Sequence, residues 1–194
     1  MTAPGRIGGG MGADLTLVLG GARSGKSRYA EGLVTAPGGP RVYIATSQIW
    51  DAEMAERVAR HRDDRGPDWT TVEEPRDLTG ALRRHAAAGT GVLVDCLTLW
   101  LSNLMMAEAD VAAETSALVE LLPTLPGRVV LVSNEVGLGI VPDNALARRF
   151  RDHAGRLHQS IAAVAPRVVL TVAGLPMFVK GTPAWRTPRP TPRN

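Results

Sequence analysis

Cysteine is nearly absent from this 194-residue chain, with Cys96 standing alone. That excludes an intramolecular disulfide and a zinc site built on several thiolates, and it points to a reducing compartment. Aromatic residues are scarce, at 4%, too few for the stacking platforms that bind single-stranded nucleic acid. No run approaches the ~18 consecutive apolar residues of a membrane span, and glycines stand where a signal peptide needs an apolar h-region. These absences predict a cytoplasmic protein without a membrane span. Carboxylates are missing from both ends: residues 1–13 carry Arg6, and residues 181–194 carry Arg186, Arg189 and Arg193. Those four cations exceed the whole net charge of +3. The body between them is therefore close to neutral, and the basic pI does not indicate a duplex-binding face or a nucleic-acid partner.

What is present fits one globular α/β domain, since hydrophobic residues make up 44% and charged residues 21% and domains run to ~100–200 residues. Five glycines in residues 1–13 and four prolines in residues 181–194 offer little apolar area to offset ordering entropy. They predict a flexible leader and a Pro/Arg-rich tail around a catalytic domain at 14–180. The tail's alternative role is to dock on a neighbouring subunit through Trp185.

Within the body, almost continuously apolar, β-branched runs at Leu15–Leu19, Arg41–Thr46, Gly91–Asp95, Arg128–Ser133 and Arg167–Val172 predict strands covered on both faces. Thr70–Glu74 is a candidate edge strand. Helical patterns fall at Lys26–Thr35, Asp51–Arg65, Asp77–Ala88, Leu97–Ala107, Val111–Leu122 and Asp143–Ala165. This alternation predicts a mostly parallel sheet with helices on both faces and ligands at the carboxyl ends of its strands.

The first strand runs into Gly20-Gly21-Ala22-Arg23-Ser24-Gly25-Lys26-Ser27, which matches the P-loop pattern in its required place between a strand and a helix. Glycines let backbone N–H groups wrap phosphate oxygens. Lys26 is expected to reach the β- and γ-phosphates and Ser27 to ligate Mg²⁺. A P-loop enzyme also needs a metal carboxylate, and Asp95 closes the apolar run Val92-Leu93-Val94; its alternative is a cap for the following helix. On the Asp51–Arg65 helix, at about 100° per residue, Met54, Val58, His61 and Arg65 share a face with Arg62 beside them. Either His61 is a core histidine and the arginines complement the helix dipole, or these residues meet a phosphate chain. Ala45-Thr46-Ser47 and Ser133-Asn134-Glu135-Val136-Gly137-Leu138-Gly139 follow strands, as site linings or as plain caps and turns. Trp50, Trp69, Trp100 and Trp185 read as packing residues.

With these segments laid out, the sequence resembles the bifunctional adenosylcobinamide kinase / adenosylcobinamide-phosphate guanylyltransferase family of cobalamin biosynthesis. The carriers are LVLGGARSGKSRYAE, YIATSQIWDAEMAERVARHRDDRGPDWTTVEEP, VLVDCLTLWLSNLM and VLVSNEVGLGIVPDNALARRFRDHAGRLHQ. The resemblance implies a RecA-like P-loop fold and a homo-oligomer, a trimer being suspected. It implies phosphorylation of adenosylcobinamide by ATP or GTP, then transfer of GMP from GTP to adenosylcobinamide phosphate, giving adenosylcobinamide-GDP and pyrophosphate. His61 occupies the position of the family's guanylylated histidine. Nucleotide contacts are implied at Gly20, Gly21, Ala22, Arg23, Ser24, Gly25, Lys26, Ser27, Ala45, Thr46, Ser47, Arg62, Asp63, Asp64, Arg65, Glu73 and Asp95, with Mg²⁺ on Ser27 and Asp95.

Rival classes fit less well. A GTP-dependent switch needs a guanine-reading Asn-Lys-x-Asp, which the sequence lacks; a DNA-driven motor is disfavoured by the near-neutral body and the scarce aromatics; and against a member keeping one activity, the presence of His61 argues for both. Deleting residues 182–194 is expected to leave turnover within a few-fold. Loss of activity together with a change of size on a calibrated column would instead make the tail an assembly element.

Overall fold

The computed structural model describes residues 13–48 and 67–182. The described elements are β1 (Leu15–Gly20), α1 (Lys26–Thr35), β2 (Arg41–Ala45), β3 (Trp69–Glu73), α2 (Leu78–His85), β4 (Gly91–Asp95), α3 (Leu97–Met106), α4 (Val111–Leu121), a 3₁₀ turn (Leu122–Thr124), β5 (Arg128–Asn134), α5 (Ala145–Val164), β6 (Arg167–Val172) and β7 (Leu175–Lys180). The strands form one sheet in the order β3-β2-β4-β5-β1-β6-β7. Every neighbouring pair is parallel except β6 with β7. This is the RecA-like form of the P-loop α/β fold, in which β5 lies between the P-loop strand β1 and the carboxylate strand β4. The predicted helix at Asp51–Arg65, with Trp50 before it, and Trp185 lie outside the described residues.

The apolar runs need no alternation because both faces of the sheet are covered. Leu15, Leu17, Val42, Ile44, Val92, Val94, Val129 and Leu131 face one way, against Leu78 and Leu82 of α2, Trp100 and Leu101 of α3, Leu118 of α4, and Leu157 and Ile161 of α5. The intervening Val18, Tyr43, Ala45, Leu93, Val130 and Val132 face the other way, against Ala30 and Val34 of α1. Tyr43 also meets Trp69 edge-on, ring centroids 6.4 Å apart. Asp77 and Asp110 cap α2 and α4 with side-chain carboxylates, and Asn144 caps α5. At the amino edge Asp14 accepts from Arg128 Nε at 2.6 Å and also pairs with Arg167, pinning β1, β5 and β6 to one carboxylate.

Helix and strand ends differ from the predicted ones by a residue or two, except that α2 stops at His85, three residues short of Ala88. One element is new. β7 returns antiparallel on β6 through Ala173 (φ 50°) and Gly174 (φ 79°). Its Pro176 suits an edge strand, because proline cannot donate to a ladder on both sides. Leu175, Met177 and Val179 are exposed, so nothing in their burial marks them as a strand. Among the described residues, no helix is long and apolar enough to cross a membrane.

Asn103 ties two loops at the carboxyl edge together. Buried on α3, its Nδ2 donates to the Thr46 carbonyl at 2.7 Å and the Pro75 carbonyl at 3.0 Å. Leaving buried carbonyls unpaired costs roughly 1–3 kcal/mol each. Asn103→Ala should therefore lower the unfolding free energy by about 2–4 kcal/mol in urea titrations; a change under about 0.5 kcal/mol would show that these bonds hold nothing.

Candidate active site

The turn between β1 and α1 has the backbone geometry that an anion requires. Gly25 stands at the N-cap of α1 in the left-handed region (φ 89°), and no side chain caps the helix. The first-turn N–H groups are thus left for a ligand. A Cβ on Gly25 would lie 3.0 Å from Gly174 Cα, and one on Gly20 would lie 2.8 Å from the Thr171 carbonyl. Both glycines are therefore required by close backbone approach, and Gly25 by its left-handed dihedral as well. Arg23 is also left-handed (φ 55°). Gly21, Ala22 and Arg23 are exposed. The loop is fastened from below, where Gly174 N donates to the Ser24 carbonyl at 2.9 Å. Lys26 Nζ folds back on the Gly21 carbonyl at 3.3 Å. Ser24 Oγ is buried without a partner, an unspent donor inside the loop.

Register places the rest of the site. Gly20 pairs with Asn134 and Val18 with Val132, while Val132 pairs with Asp95, Asp95 with Ala45 and Ala45 with Glu73. Residues in register on parallel strands, and those two apart on one strand, share a face. Asp95 and Asn134 therefore project on the face covered by α1, whose first turn carries Lys26 and Ser27. The cap reading of Asp95 is excluded, because Cys96 is the N-cap of α3 and no side-chain cap bond is made.

Among the described residues, neither the Asp95 carboxylate nor the Ser27 hydroxyl is spent on a hydrogen bond or ion pair. A hydroxyl and a carboxylate are hard oxygen donors that suit Mg²⁺. No cluster of three His, Cys, Asp or Glu that could hold a metal occurs among the described residues. A cation here would share its coordination with phosphate and water, as Mg²⁺ commonly does. The residues fit the group.

The segment after β2 braces the neighbouring strand end. Thr46 is fully buried; its Oγ1 donates to the Cys96 carbonyl at 2.7 Å and accepts from Cys96 N at 2.9 Å. The hydroxyl is thus committed to bracing the loop after Asp95. Ala45 is buried beside it, while Ser47 is partly exposed. Glu73 is exposed at the end of β3, two strands from Asp95. His61, Arg62, Asp63, Asp64 and Arg65 lie outside the described residues.

Sequence reasoning missed the polar chain behind the edge. Asn134 Nδ2 donates to Thr98 Oγ1 at 2.8 Å, and Thr98 Oγ1 meets Cys96 Sγ at 3.0 Å. Burial, with the Asp95 charge, pushes the Cys96 thiol up, against the pull of Thr98, the Leu99 amide and Lys26. Glu135 N donates to the Gly20 carbonyl at 3.0 Å, and the Glu135 carboxylate accepts from Gly137 N and Leu138 N. Behind this loop Ser133 Oγ meets His158 Nε2 at 2.7 Å. The Asn134–Thr98 bond spans 36 positions and the Ser133–His158 bond 25, separations for which no local pattern exists.

A family model described as cobinamide kinase / cobinamide phosphate guanyltransferase matches residues 16–179. The chain is 54% identical over 169 residues to the bifunctional adenosylcobalamin biosynthesis protein CobP of Pseudomonas aeruginosa, covering 86% of this chain and 98% of that one. It is 44% identical over 182 residues to the protein CobU of Salmonella typhimurium, described in the same words, covering 86% and 99%. Among solved structures it is similar to the Pyrococcus horikoshii protein of Project ID PH0250, with a TM-score of 0.53, 8% identity and 88% of each chain covered. That last likeness concerns the fold alone.

Burial holds the His158 imidazole below its ordinary value, opposed in part by the Glu135 charge. An unfolded histidine takes up its proton near pH ~6.5, before the folded one does, so this group lowers stability as pH falls below that value. His158→Gln, which keeps a partner for Ser133, should flatten the loss of unfolding free energy between pH 7.5 and 5.5. An unchanged slope would show that His158 does not titrate differently in the fold.

Proposed function

The chain belongs to the cobinamide kinase / cobinamide phosphate guanyltransferase family, and from that premise we propose how its residues divide the two reactions. It phosphorylates adenosylcobinamide and transfers a guanylyl group to the product, and it binds nucleoside triphosphate on a P-loop fold.

Gly20–Ser27 cradle the triphosphate, with Lys26 on its β- and γ-phosphates. The observation that carries this reading is the uncapped start of α1 on the same sheet face as Asp95. Ser27 and Asp95 would hold Mg²⁺, which would supply neutralisation of phosphate charge. In the kinase step the cobinamide hydroxyl oxygen bonds to the γ-phosphorus of ATP or GTP, and the bond to the β–γ bridging oxygen breaks. The nucleoside diphosphate leaves with that electron pair.

Guanylyl transfer uses His61 in two in-line displacements. A neutral imidazole nitrogen bonds to the α-phosphorus of GTP and pyrophosphate departs. The phosphate oxygen of adenosylcobinamide phosphate then bonds to that phosphorus, the P–N bond breaks, and adenosylcobinamide-GDP leaves. Imidazole serves because it is nucleophilic when neutral and a good leaving group once protonated. Arg62 and Arg65 gather the charge of pyrophosphate, with Asp63, Asp64, Ala45, Thr46, Ser47 and Glu73 lining the nucleotide's surroundings. Residues 14–180 form the catalytic unit, with residues 1–13 and 181–194 as tails, acting in the cytoplasm as a homo-oligomer, a trimer by family resemblance.

GTP labelled at the α-phosphate should leave covalent label on His61, acid-labile, alkali-stable and reversed by pyrophosphate. His61→Ala should lose label and guanylyl transfer while keeping much of the kinase activity. Label mapping to His85, His153 or His158, or persisting in His61→Ala, would overturn the assignment.

A further inference from the structure

Asn134 stands between the two halves of the nucleotide site without having a part in it so far. It ends β5, the strand separating β1 from β4. Its register partner is Gly20, the first residue of the P-loop, and two positions back on its own face Val132 pairs with Asp95. Adjacent strands lie about 4.8 Å apart, so the carboxamide sits one strand from the phosphate cradle on one side and one strand from the metal carboxylate on the other.

Its orientation is fixed from behind. One Nδ2 proton goes to Thr98 Oγ1 at 2.8 Å. Thr98 is buried and meets Cys96 Sγ at 3.0 Å, and Cys96 is locked through both its backbone N and O to Thr46. From the front, Glu135 N holds the strand end to the Gly20 carbonyl. Once Thr98 is satisfied, the other Nδ2 proton has the Cys96 sulfur, a weak acceptor 3.9 Å from Nδ2, which a phosphoryl oxygen outcompetes, and Oδ1 has no partner among the described residues. A rigid, neutral group with one donor and one acceptor suits a pair of ligand atoms of which one accepts and one donates.

We propose that Asn134 is a catalytic residue of the kinase step, donating from Nδ2 to a γ-phosphoryl oxygen and accepting at Oδ1 from the attacking hydroxyl of cobinamide. It thereby holds the two reacting groups side by side. The hydroxyl oxygen bonds to the γ-phosphorus, the bond to the β–γ bridging oxygen breaks, and the hydroxyl proton passes to the transferred phosphoryl group, since a carboxamide takes up no proton. Thr98 acts through Asn134 and is a positioning residue. The inference rests on the P-loop reading above, and the controls separate the two.

Asn134→Ala and Asn134→Ser should lower the kinase kcat about 10²–10³-fold, the range for losing one preorganised donor. The nucleotide KM should stay within about threefold, and the kinase should fall at least tenfold further than guanylyl transfer measured on pre-phosphorylated substrate. Thr98→Val should lower kinase kcat about tenfold, and Asn134→Ala/Thr98→Val should be no worse than Asn134→Ala, as expected when one residue acts only through the other. Urea unfolding of each variant reports its folding. A kcat within threefold of wild type in either folded Asn134 variant, equal loss of both activities, or additive losses in the double variant would overturn the proposal. Lys26→Ala serves as the control: kinase activity surviving it refutes the P-loop reading, whereas loss in Lys26→Ala with retention in Asn134→Ala refutes the role of Asn134 alone.

Discussion

Parallel pairing of β1, β5 and β4 in fixed register is the constraint on which the rest depends. A one-residue slip in any of these strands would turn its side chains to the opposite face and carry Asp95 or Asn134 away from α1. Slippage is opposed by burial on both faces: Val18, Leu93, Val130 and Val132 on the α1 side, and Leu17, Val94, Val129 and Leu131 on the other, are almost wholly buried. Asp14, gripped by Arg128 and Arg167 at the amino edge, ties β1 to β5 and to β6 from the far end.

On that frame the carboxyl edge is assembled from braces rather than from long-range charge pairs. The turn after β6 holds the P-loop through Gly174. Thr46 holds the loop after Asp95, Asn103 holds the loops after β2 and β3, and Glu135 holds the end of β5 to Gly20. Each is a short hydrogen bond between backbone and backbone or backbone and a small side chain. Charged groups at the edge, Lys26 and Asp95 among them, are in no salt bridge among the described residues, and in the function proposed above they serve a triphosphate and its cation. Preorganised charge of this kind is what phosphoryl and nucleotidyl transfer demand of a protein.

Much of this was legible in the sequence, for identifiable reasons. Strands buried on both faces announce themselves as apolar runs. The glycines of the P-loop answer backbone requirements at Gly20 and Gly25 that no other residue meets, and so leave a readable spacing. The strand Leu175–Lys180 was not legible, since its apolar side chains are exposed and its turn carries Ala173 where an Asn or Gly is usual. The part of Thr46 could not be foreseen either, because a hydroxyl after a strand looks the same whether it meets a ligand or the backbone of Cys96. Asn134 was visible as a polar residue closing a strand, but its tie to Thr98 spans 36 positions and belongs to the tertiary fold. For His61 the sequence and its resemblance stand by themselves.

The most direct measurement is the equilibrium affinity for GTP, with Mg²⁺ present, of the wild-type chain and of Lys26→Ala, read by calorimetry. Lys26 is half-buried and its side chain makes one hydrogen bond, to the Gly21 carbonyl, so the variant is expected to keep its fold, which urea unfolding checks. A P-loop built on Gly20–Ser27 predicts that affinity falls about 100-fold or more in the folded variant. Equal affinities would place the triphosphate elsewhere and contradict the site described at the carboxyl edge of the sheet.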